Sequence, residues 1–193
     1  GYSAEQLAAA GGAANLGLGC GSPVAFATLL AGETVLDLGC GAGLDALLAA
    51  HIVGSLGSVI GVDMTAEMLA RAREGASRLG LDGRASFRLG ELEHLPVRDG
   101  EVDVVIANCT VNLCADKAGV FAEAFRALRP GGRLAMTDVV LSGAPEQPAL
   151  TRLIEAAGFV NVCVREKPSA DLIASWMPGS GAEDFVTSAL VTA

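Results

Sequence analysis

A glycine-rich turn follows a short apolar run near the start of the sequence and precedes a helical pattern. Residues 35–43 are Val-Leu-Asp-Leu-Gly-Cys-Gly-Ala-Gly. Glycine lets a ligand approach the main chain closely where a side chain would block it. The third glycine comes one residue earlier than in the dinucleotide fingerprint, and no Gly-Lys-Ser/Thr follows, which argues against a phosphate-cradling loop. We therefore predict a cofactor site lined by Asp37, Gly39, Cys40, Gly41 and Gly43.

A carboxylate stands twenty residues beyond this turn, where the next apolar run ends. It belongs to Asp63, and Met64 follows it directly. A carboxylate at such a strand end can accept hydrogen bonds from both ribose hydroxyls of an adenosine group. Met64 could pack on the adenine face. Asp63 could instead cap a helix beside a core methionine, but the separation from the glycine turn favours the nucleoside.

Five cysteines are spread along the chain at positions 20, 40, 109, 114 and 163. No two of them form a Cys-x-x-Cys pair, so a zinc knuckle or a thioredoxin-like motif has no support. An odd number in a chain of this length also argues against a secreted disulfide framework. We expect a cytoplasmic protein with free thiols that are either buried or reactive, and Cys163 to be buried in a late strand.

Short apolar runs alternate with helical patterns along most of the chain, which is typical of βαβ units. Thr65 is positioned to cap the second helix, and Gly80 and Gly158 follow helices as C-terminal glycines. A helical pattern at 170–176 and a Pro-Gly-Ser-Gly turn at 178–181 predict an antiparallel return at one sheet edge. We predict strands at 34–38, 58–62, 85–89, 102–107, 133–138, 159–165 and 185–192, and helices at 45–53, 66–79, 116–128 and 150–157. The predicted fold is α/β: a Rossmann-like, seven-stranded, mostly parallel sheet with an antiparallel last strand and helices on both faces.

Length and composition limit the number of domains and the classes of partner that we expect. The chain has 193 residues, a formal net charge of −9 and 51% hydrophobic residues, enough for one domain with a sizeable core. This acidic balance argues against nucleic acid as a partner. The uncharged stretch 6–32 is rich in glycine, so we expect a soluble segment and no membrane partner. We predict one domain over 1–193, with an N-terminal lid at 1–32, a cofactor-binding core at 33–140 and a C-terminal helix with closing strands at 141–193.

The glycine turn, Asp63 and the strand pattern together resemble the class I S-adenosylmethionine-dependent methyltransferases. In that family the glycine loop holds the methionine and ribose parts of the cofactor. The resemblance extends to residues 90–96, Gly-Glu-Leu-Glu-His-Leu-Pro, where the family contacts adenine. It implies S-adenosyl-L-methionine as the cofactor and adds three candidate binding residues, Glu91, Leu92 and Glu93.

Two further segments resemble the arsenite S-adenosylmethionine methyltransferases. One is the Gly-Cys-Gly turn at 19–21, and the other is Asn108-Cys109-x-x-Asn112-Leu113 followed by Asp116-Lys117. The stretch 175–186 also matches that family. The resemblance implies that Cys20 and Cys109 are the catalytic residues and hold arsenic, and that Asn108 contacts the cofactor. It further implies an arsenic substrate, a thiol reductant such as glutathione or thioredoxin, and a role in arsenic detoxification.

Thiol chemistry suits such a substrate. No Asp-His pair is evident as a base, which favours a soft acceptor that brings its own lone pair. The family commonly has a third arsenic-binding cysteine after the fifth strand, but residues 141–148 contain none. Two thiols suit monomethylated arsenic, or arsenite with an external thiol, and Cys114 is a candidate substitute. The alternatives are a C- or O-methyltransferase of a small molecule and a non-catalytic arsenic-binding module.

Overall fold

The computed structural model describes residues 2–11, 14, 20–141, 146–167 and 186–193. Strands and helices alternate along them, as the sequence predicts. The strands are β1 (Thr34–Leu38), β2 (Ser58–Asp63), β3 (Ala85–Leu89), β4 (Val102–Asn108), β5 (Leu128–Leu141), β6 (Cys163–Lys167) and β7 (Val186–Thr192). The helices are α1 (Ala4–Ala9), α2 (Leu44–Val53), α3 (Ala66–Arg78), α4 (Lys117–Ala127) and α5 (Glu146–Ala156), with short 3-10 turns at Pro23–Ala25, Gly54–Leu56 and Val111–Leu113.

The seven strands form one sheet in the order β3-β2-β1-β4-β5-β7-β6. Strands β1 to β5 pair in parallel, and β7 runs antiparallel to both of its neighbours. The strand order reverses between β1 and β4, and ligands of open α/β sheets bind at the carboxyl ends of the strands beside such a reversal. The Rossmann-like fold and the antiparallel last strand are thus confirmed.

The central strands are buried on both faces, as expected for a parallel sheet covered by helices. Alternate residues of β1 enter different halves of the core: Val35 packs with α2 and α3 on one face, and Leu36 packs with α4 and α5 on the other. Both side chains are fully buried. The predicted helices on both faces are confirmed, and this packing fixes the carboxyl end of β1.

The antiparallel strand differs in its place from the prediction. It does not close an edge of the sheet but lies between β5 and β6, which leaves β6 at the edge. Cys163, predicted to be buried, is only half-buried there because an edge strand has one open side. The predicted helical pattern at 170–176, the turn at 178–181 and most of the 175–186 stretch lie outside the described residues.

Several element ends also differ. Helix α5 begins at Glu146 rather than Leu150 and includes Pro148, which the first turn of a helix tolerates because its N–H groups have no intrahelical partner. Strand β6 begins at Cys163, four residues later than predicted. Thr65 does precede α3, but its hydroxyl makes no capping hydrogen bond. Its own N–H instead donates to Asp63 Oδ1 at 2.8 Å, so Asp63 organises this turn. Gly80 and Gly158 have the expected positive φ.

Within the described ranges, no helix combines the length and the hydropathy that crossing a membrane requires.

Candidate active site

A cleft of about 960 Å³ opens at the carboxyl ends of β1, β2 and β4. The glycine turn after β1 forms one part of its wall, and the loop that follows β4 forms another. Most of the predicted site residues line it: Asp37, Gly39, Cys40, Gly41, Asp63, Met64, Glu91, Leu92, Glu93, Asn108 and Cys109. Gly43 and Cys20 are the two predicted site residues that do not line the cleft. Residues far apart in sequence thus meet where the strand order reverses.

The glycine turn has the backbone conformation that the sequence predicts. Gly39, Gly41 and Gly43 have φ values of 65°, 51° and 88°, in the left-handed region that glycine adopts without strain. A side chain at Gly39 would overlap Thr110. A Cβ atom at Gly41 would meet no atom within 4 Å, because that position faces the open cleft. The turn therefore presents bare backbone to a ligand.

Two backbone N–H groups hold the Asp63 carboxylate in place. Its Oδ2 accepts a hydrogen bond from the Gly41 N–H at 2.9 Å, and its Oδ1 accepts one from Thr65 at 2.8 Å. Each carboxylate oxygen keeps a second lone pair for a ligand hydroxyl. Met64 beside it is 75% exposed, so its side chain is available to cover an apolar ring. The carboxylate is oriented before any ligand arrives.

Two buried acids, Asp37 and Asp45, lie at the base of the cleft. Burial raises the pKa of Asp37 well above its ordinary value, and the neighbouring Asp45 carboxylate raises it further. Burial also raises the pKa of Asp45 to about 6. Asp37 Oδ2 and Asp45 Oδ1 have no hydrogen-bond partner among the described residues. Two buried acceptor atoms without donors suit a ligand that carries cationic N–H groups.

Asn108, the last residue of β4, connects this acidic pair to the N-terminal segment. Its Nδ2 donates to Asp45 Oδ2 at 3.0 Å, to the Tyr2 hydroxyl oxygen at 2.7 Å and to the Gly21 carbonyl at 3.0 Å. The Tyr2 hydroxyl donates to Asp45 Oδ2 at 2.6 Å, and burial raises the pKa of Tyr2. Thr137 donates to Asn108 Oδ1 at 2.8 Å. Asn108 thus links two residues of the N-terminal segment, Tyr2 and Gly21, to the acidic pair at the base of the cleft.

Sequence reasoning missed three members of this network, Tyr2, Asp45 and Thr137. Asp45 carried a usable signal, because it is an acidic residue in the first turn of the helix that follows the glycine turn. Tyr2 and Thr137 carried none, since their partners are 106 and 29 residues away.

Cys20 meets Cys109, which is the first residue of the loop that follows β4. The sequence predicted free thiols, whereas the structure joins these two in a disulfide, with Cα atoms 5.9 Å apart across 89 residues of chain. The Cys20 N–H also points at Cys109 Sγ, 3.1 Å away. Cys109 has a φ of 55°, in a region that residues with a side chain rarely adopt. Its N–H donates to the Thr137 carbonyl at 2.8 Å, which fixes this turn.

A third buried acid, Asp138, lies beside the two cysteines and was also missed. One carboxylate oxygen of Asp138, Cys20 Sγ and Cys109 Sγ lie within 4.8 Å of one another. Asp138 is only 3% exposed, and burial raises its pKa. Backbone N–H groups hold both of its oxygens, that of Asn112 at 3.0 Å and that of Val139 at 2.9 Å. The signal for it was its place as the last residue of the predicted strand 133–138, which pairs with β4.

The remaining cysteines have different surroundings. Cys114 is half-buried on the cleft wall, and burial raises the pKa of its thiol. It is not a member of the group that Cys20, Cys109 and Asp138 form in the described part of the chain. Cys40 is buried beneath the glycine turn, and its pKa is raised by burial and then by Asp37 and Asp63. Cys40 is therefore a poor nucleophile.

Comparison with known proteins gives consistent results. A family profile described as "Methyltransferase domain" matches residues 29–170. The arsenite methyltransferase of Halobacterium salinarum is 43% identical over the whole chain, which covers 54% of that protein. That of Aquipseudomonas alcaligenes is 47% identical over 63% of the chain, which covers 36% of that protein. The chain thus spans about half, or about a third, of the length of these curated relatives.

A solved structure supports the same relationship. The crystal structure of an arsenic(III) S-adenosylmethionine methyltransferase from Chlamydomonas reinhardtii superimposes with a TM-score of 0.77. Its sequence is 30% identical to this one, and the match covers the whole of this chain and 74% of the other.

Proposed function

Since the chain belongs to the arsenite S-adenosylmethionine methyltransferase family, we propose that it methylates trivalent arsenic held by the thiolates of Cys20 and Cys109. One observation carries this proposal: two cysteines 89 residues apart meet beside the cleft that the glycine turn forms. Neither a carbon nor an oxygen acceptor would need a pair of sulfur atoms at this place. Arsenite and monomethylarsenite are the proposed substrates, and arsenic detoxification is the proposed role.

The described residues fit S-adenosylmethionine as the cofactor. When bound, it supplies an electrophilic methyl group on a sulfonium sulfur. Asp63 would accept hydrogen bonds from the ribose hydroxyls, because its carboxylate is already oriented by Gly41 and Thr65. The unpartnered oxygens of Asp37 and Asp45 would accept from the ammonium group of the methionine part. Met64 and Leu92 would cover the adenine, with Glu91 and Glu93 at the edge of that pocket.

The two thiols bind arsenic by exchange. An arsenic–hydroxide bond is replaced by an arsenic–sulfur bond, and the thiol proton leaves with the hydroxide as water. Free thiols are only a few per cent ionised at neutral pH, and a strongly Lewis-acidic centre displaces their protons. Trivalent arsenic keeps its lone pair, and two fixed sulfur atoms determine where that pair points. Positioning of this kind can supply up to about 7–11 kcal/mol of the barrier reduction without a general base.

The same two thiols are the proposed first reductant. Reduction of pentavalent methylarsenic to the trivalent state takes two electrons, and the two bound thiolates supply them: both arsenic–sulfur bonds break as the sulfur–sulfur bond forms, and a water molecule takes the vacated position on arsenic and releases one proton. Their Cα separation of 5.9 Å is within the usual range for a disulfide. An external thiol, glutathione or thioredoxin, would then reduce that disulfide before the next turnover.

The test is to incubate the protein with S-adenosylmethionine, glutathione and either arsenite or monomethylarsenite, and to identify the arsenic species formed. We expect methylated arsenic from the wild type, at least about a hundredfold less from Cys20→Ser and Cys109→Ser, and unchanged product from Cys163→Ser. Absence of methylated arsenic from both substrates would refute the proposal. Thiol-dependent arsenic binding without product would indicate a sequestering module, and activity on a small organic acceptor that survives both substitutions would indicate a C- or O-methyltransferase.

A further inference from the structure

We infer that Asp138 is a third ligand of this site, so that the reduced chain presents two sulfur atoms and one carboxylate oxygen to a thiophilic centre. The inference rests on the proposed function for the identity of the substrate, but the donor set itself does not depend on it. Among the described residues, the donor atoms of Cys20, Cys109 and Asp138 all lie within 4.8 Å of one another.

The spacing is close to that of a coordination shell. Donor atoms bound at about 2.0–2.3 Å to a common tetrahedral centre lie about 3.5 Å from one another. Reduction of the disulfide lets the two sulfur atoms separate toward that distance, and a small side-chain rotation brings the Asp138 oxygen to the same distance. No rearrangement of the sheet is required, because Cys109 follows β4 and Asp138 lies on the adjacent strand β5.

Asp138 is oriented and still able to bind. The N–H of Asn112 donates to Oδ2 at 3.0 Å, and the N–H of Val139 donates to Oδ1 at 2.9 Å. The Asn112 side chain and the Val111 N–H also hydrogen-bond to this carboxylate, so one of these weaker contacts is exchanged when Asp138 binds the thiophilic centre. Outer-shell hydrogen bonds of this kind hold a ligating side chain in one direction. The carboxylate is 3% exposed, so water competes weakly for it.

The chemistry balances without an oxidant. Arsenite, As(OH)₃, has three exchangeable hydroxide groups; two thiols and one carboxylic acid replace them, giving two arsenic–sulfur bonds, one arsenic–oxygen bond and three water molecules. Arsenic stays trivalent and the complex is neutral, which suits a buried site. Monomethylarsenite has only two exchangeable hydroxide groups and needs the two thiols alone. Asp138 therefore distinguishes the two substrates, and it provides the third ligand because no third thiol of the described residues belongs to this group.

Cadmium tests the donor set without arsenic. The wild-type protein, reduced with a phosphine, is titrated with Cd²⁺ alone while the ultraviolet sulfur-to-cadmium charge-transfer band counts bound thiolates. We expect two thiolates per Cd²⁺ in the wild type. In Asp138→Asn the band should have the same intensity, and the Kd for Cd²⁺ should rise by about tenfold or more. Asp138→Cys should add a third thiolate and raise the band by half. Asp82→Asn, which alters an exposed carboxylate, should match the wild type.

Unchanged affinity in a folded Asp138→Asn would overturn the inference, as would a two-thiolate band in Asp138→Cys. The second variant keeps the inference testable if the first fails to fold, since Asp138 also holds the turn containing Asn112. With arsenic, Asp138→Asn should raise the apparent KM for arsenite by about tenfold and leave that for monomethylarsenite within about twofold. If cadmium binding follows the expectation while no arsenic is methylated, the proposed function fails and the donor set stands.

Discussion

Gly21 lies so close to Thr137 that a Cβ atom at position 21 would be 2.5 Å from the Thr137 methyl carbon. The Gly21 carbonyl also accepts a hydrogen bond from Asn108. Cys20, directly before this contact, therefore reaches Cys109 only because residue 21 has no side chain. The glycine sets the distance between the N-terminal segment and β5, and with it the distance between the two sulfur atoms.

Gly21→Ala should separate the two cysteines. The added methyl group must displace either Thr137 or the N-terminal segment, and overpacking of this kind costs about 1–3 kcal/mol. We expect slower disulfide formation between Cys20 and Cys109, measured by mass spectrometry of the chain during air oxidation, and weaker arsenite binding. Gly83→Ala is the matched control, because a Cβ atom there meets nothing within 4 Å. Wild-type oxidation rates in Gly21→Ala would contradict this account of the contact.

Asp63→Ala should weaken cofactor binding in two ways. It removes the carboxylate proposed to hold the ribose, and it leaves the Gly41 N–H without its acceptor, so the glycine turn loses its orientation. We expect the Kd for S-adenosylmethionine, measured by calorimetry, to rise by tenfold to a hundredfold, corresponding to about 1.4–2.8 kcal/mol. The Kd of Asp63→Asn should lie between those of Asp63→Ala and the wild type. Its single amide oxygen can accept only some of the hydrogen bonds that the two carboxylate oxygens accept from Gly41, Thr65 and the ribose hydroxyls. Asp82→Asn should bind normally, and equal affinity in all four proteins would exclude the proposed role.

The elements that lie close together in sequence could be predicted well. The glycine turn and Asp63 stand at the ends of β1 and β2, and their contact follows from the parallel pairing of those strands. The left-handed turn at Gly39 and Gly41 could be predicted from the spacing of these glycines, because few other residue types allow the backbone and a ligand to approach closely. The carboxyl end of β4 could be predicted at the cleft for the same reason, because β4 pairs in parallel with β1.

Contacts between distant segments could not be predicted. Nothing in the sequence specifies that Tyr2 reaches Asp45, because a single buried hydrogen bond leaves no periodic pattern. The place of β7 was likewise open, since an alternating strand pattern is the same whether the strand pairs with one neighbour or two. Asp138 could have been found: β4 and β5 are parallel neighbours, so residues at their carboxyl ends must lie near each other.

The stability of the protein should depend on Asp45 in a specific pH window. Burial raises the pKa of Asp45 from 3.8 to about 6, so the fold favours the protonated acid. Its contribution is fully present below pH 3.8 and is lost as the pH rises through about 6. Asp45→Asn cannot ionise, so the difference in unfolding free energy, wild type minus variant, should fall as the pH rises through that window. Urea unfolding at several pH values measures it, and a difference that does not change with pH would refute the assignment.

Exchanging the two side chains of the Asn108–Asp45 pair should restore part of the stability that Asn108→Asp alone removes. Asn108→Asp replaces the donor with a second carboxylate, which faces both Asp45 and the Gly21 carbonyl, and we expect a loss of about 2–4 kcal/mol at pH 8. Adding Asp45→Asn returns an amide donor opposite a carboxylate, so the double variant should be more stable than Asn108→Asp alone. Recovery stays incomplete, because the carboxylate at position 108 cannot donate a hydrogen bond to the Gly21 carbonyl. Denaturant unfolding of the wild type, both single variants and the double variant gives the coupling energy. Strictly additive effects would mean that the two side chains do not interact.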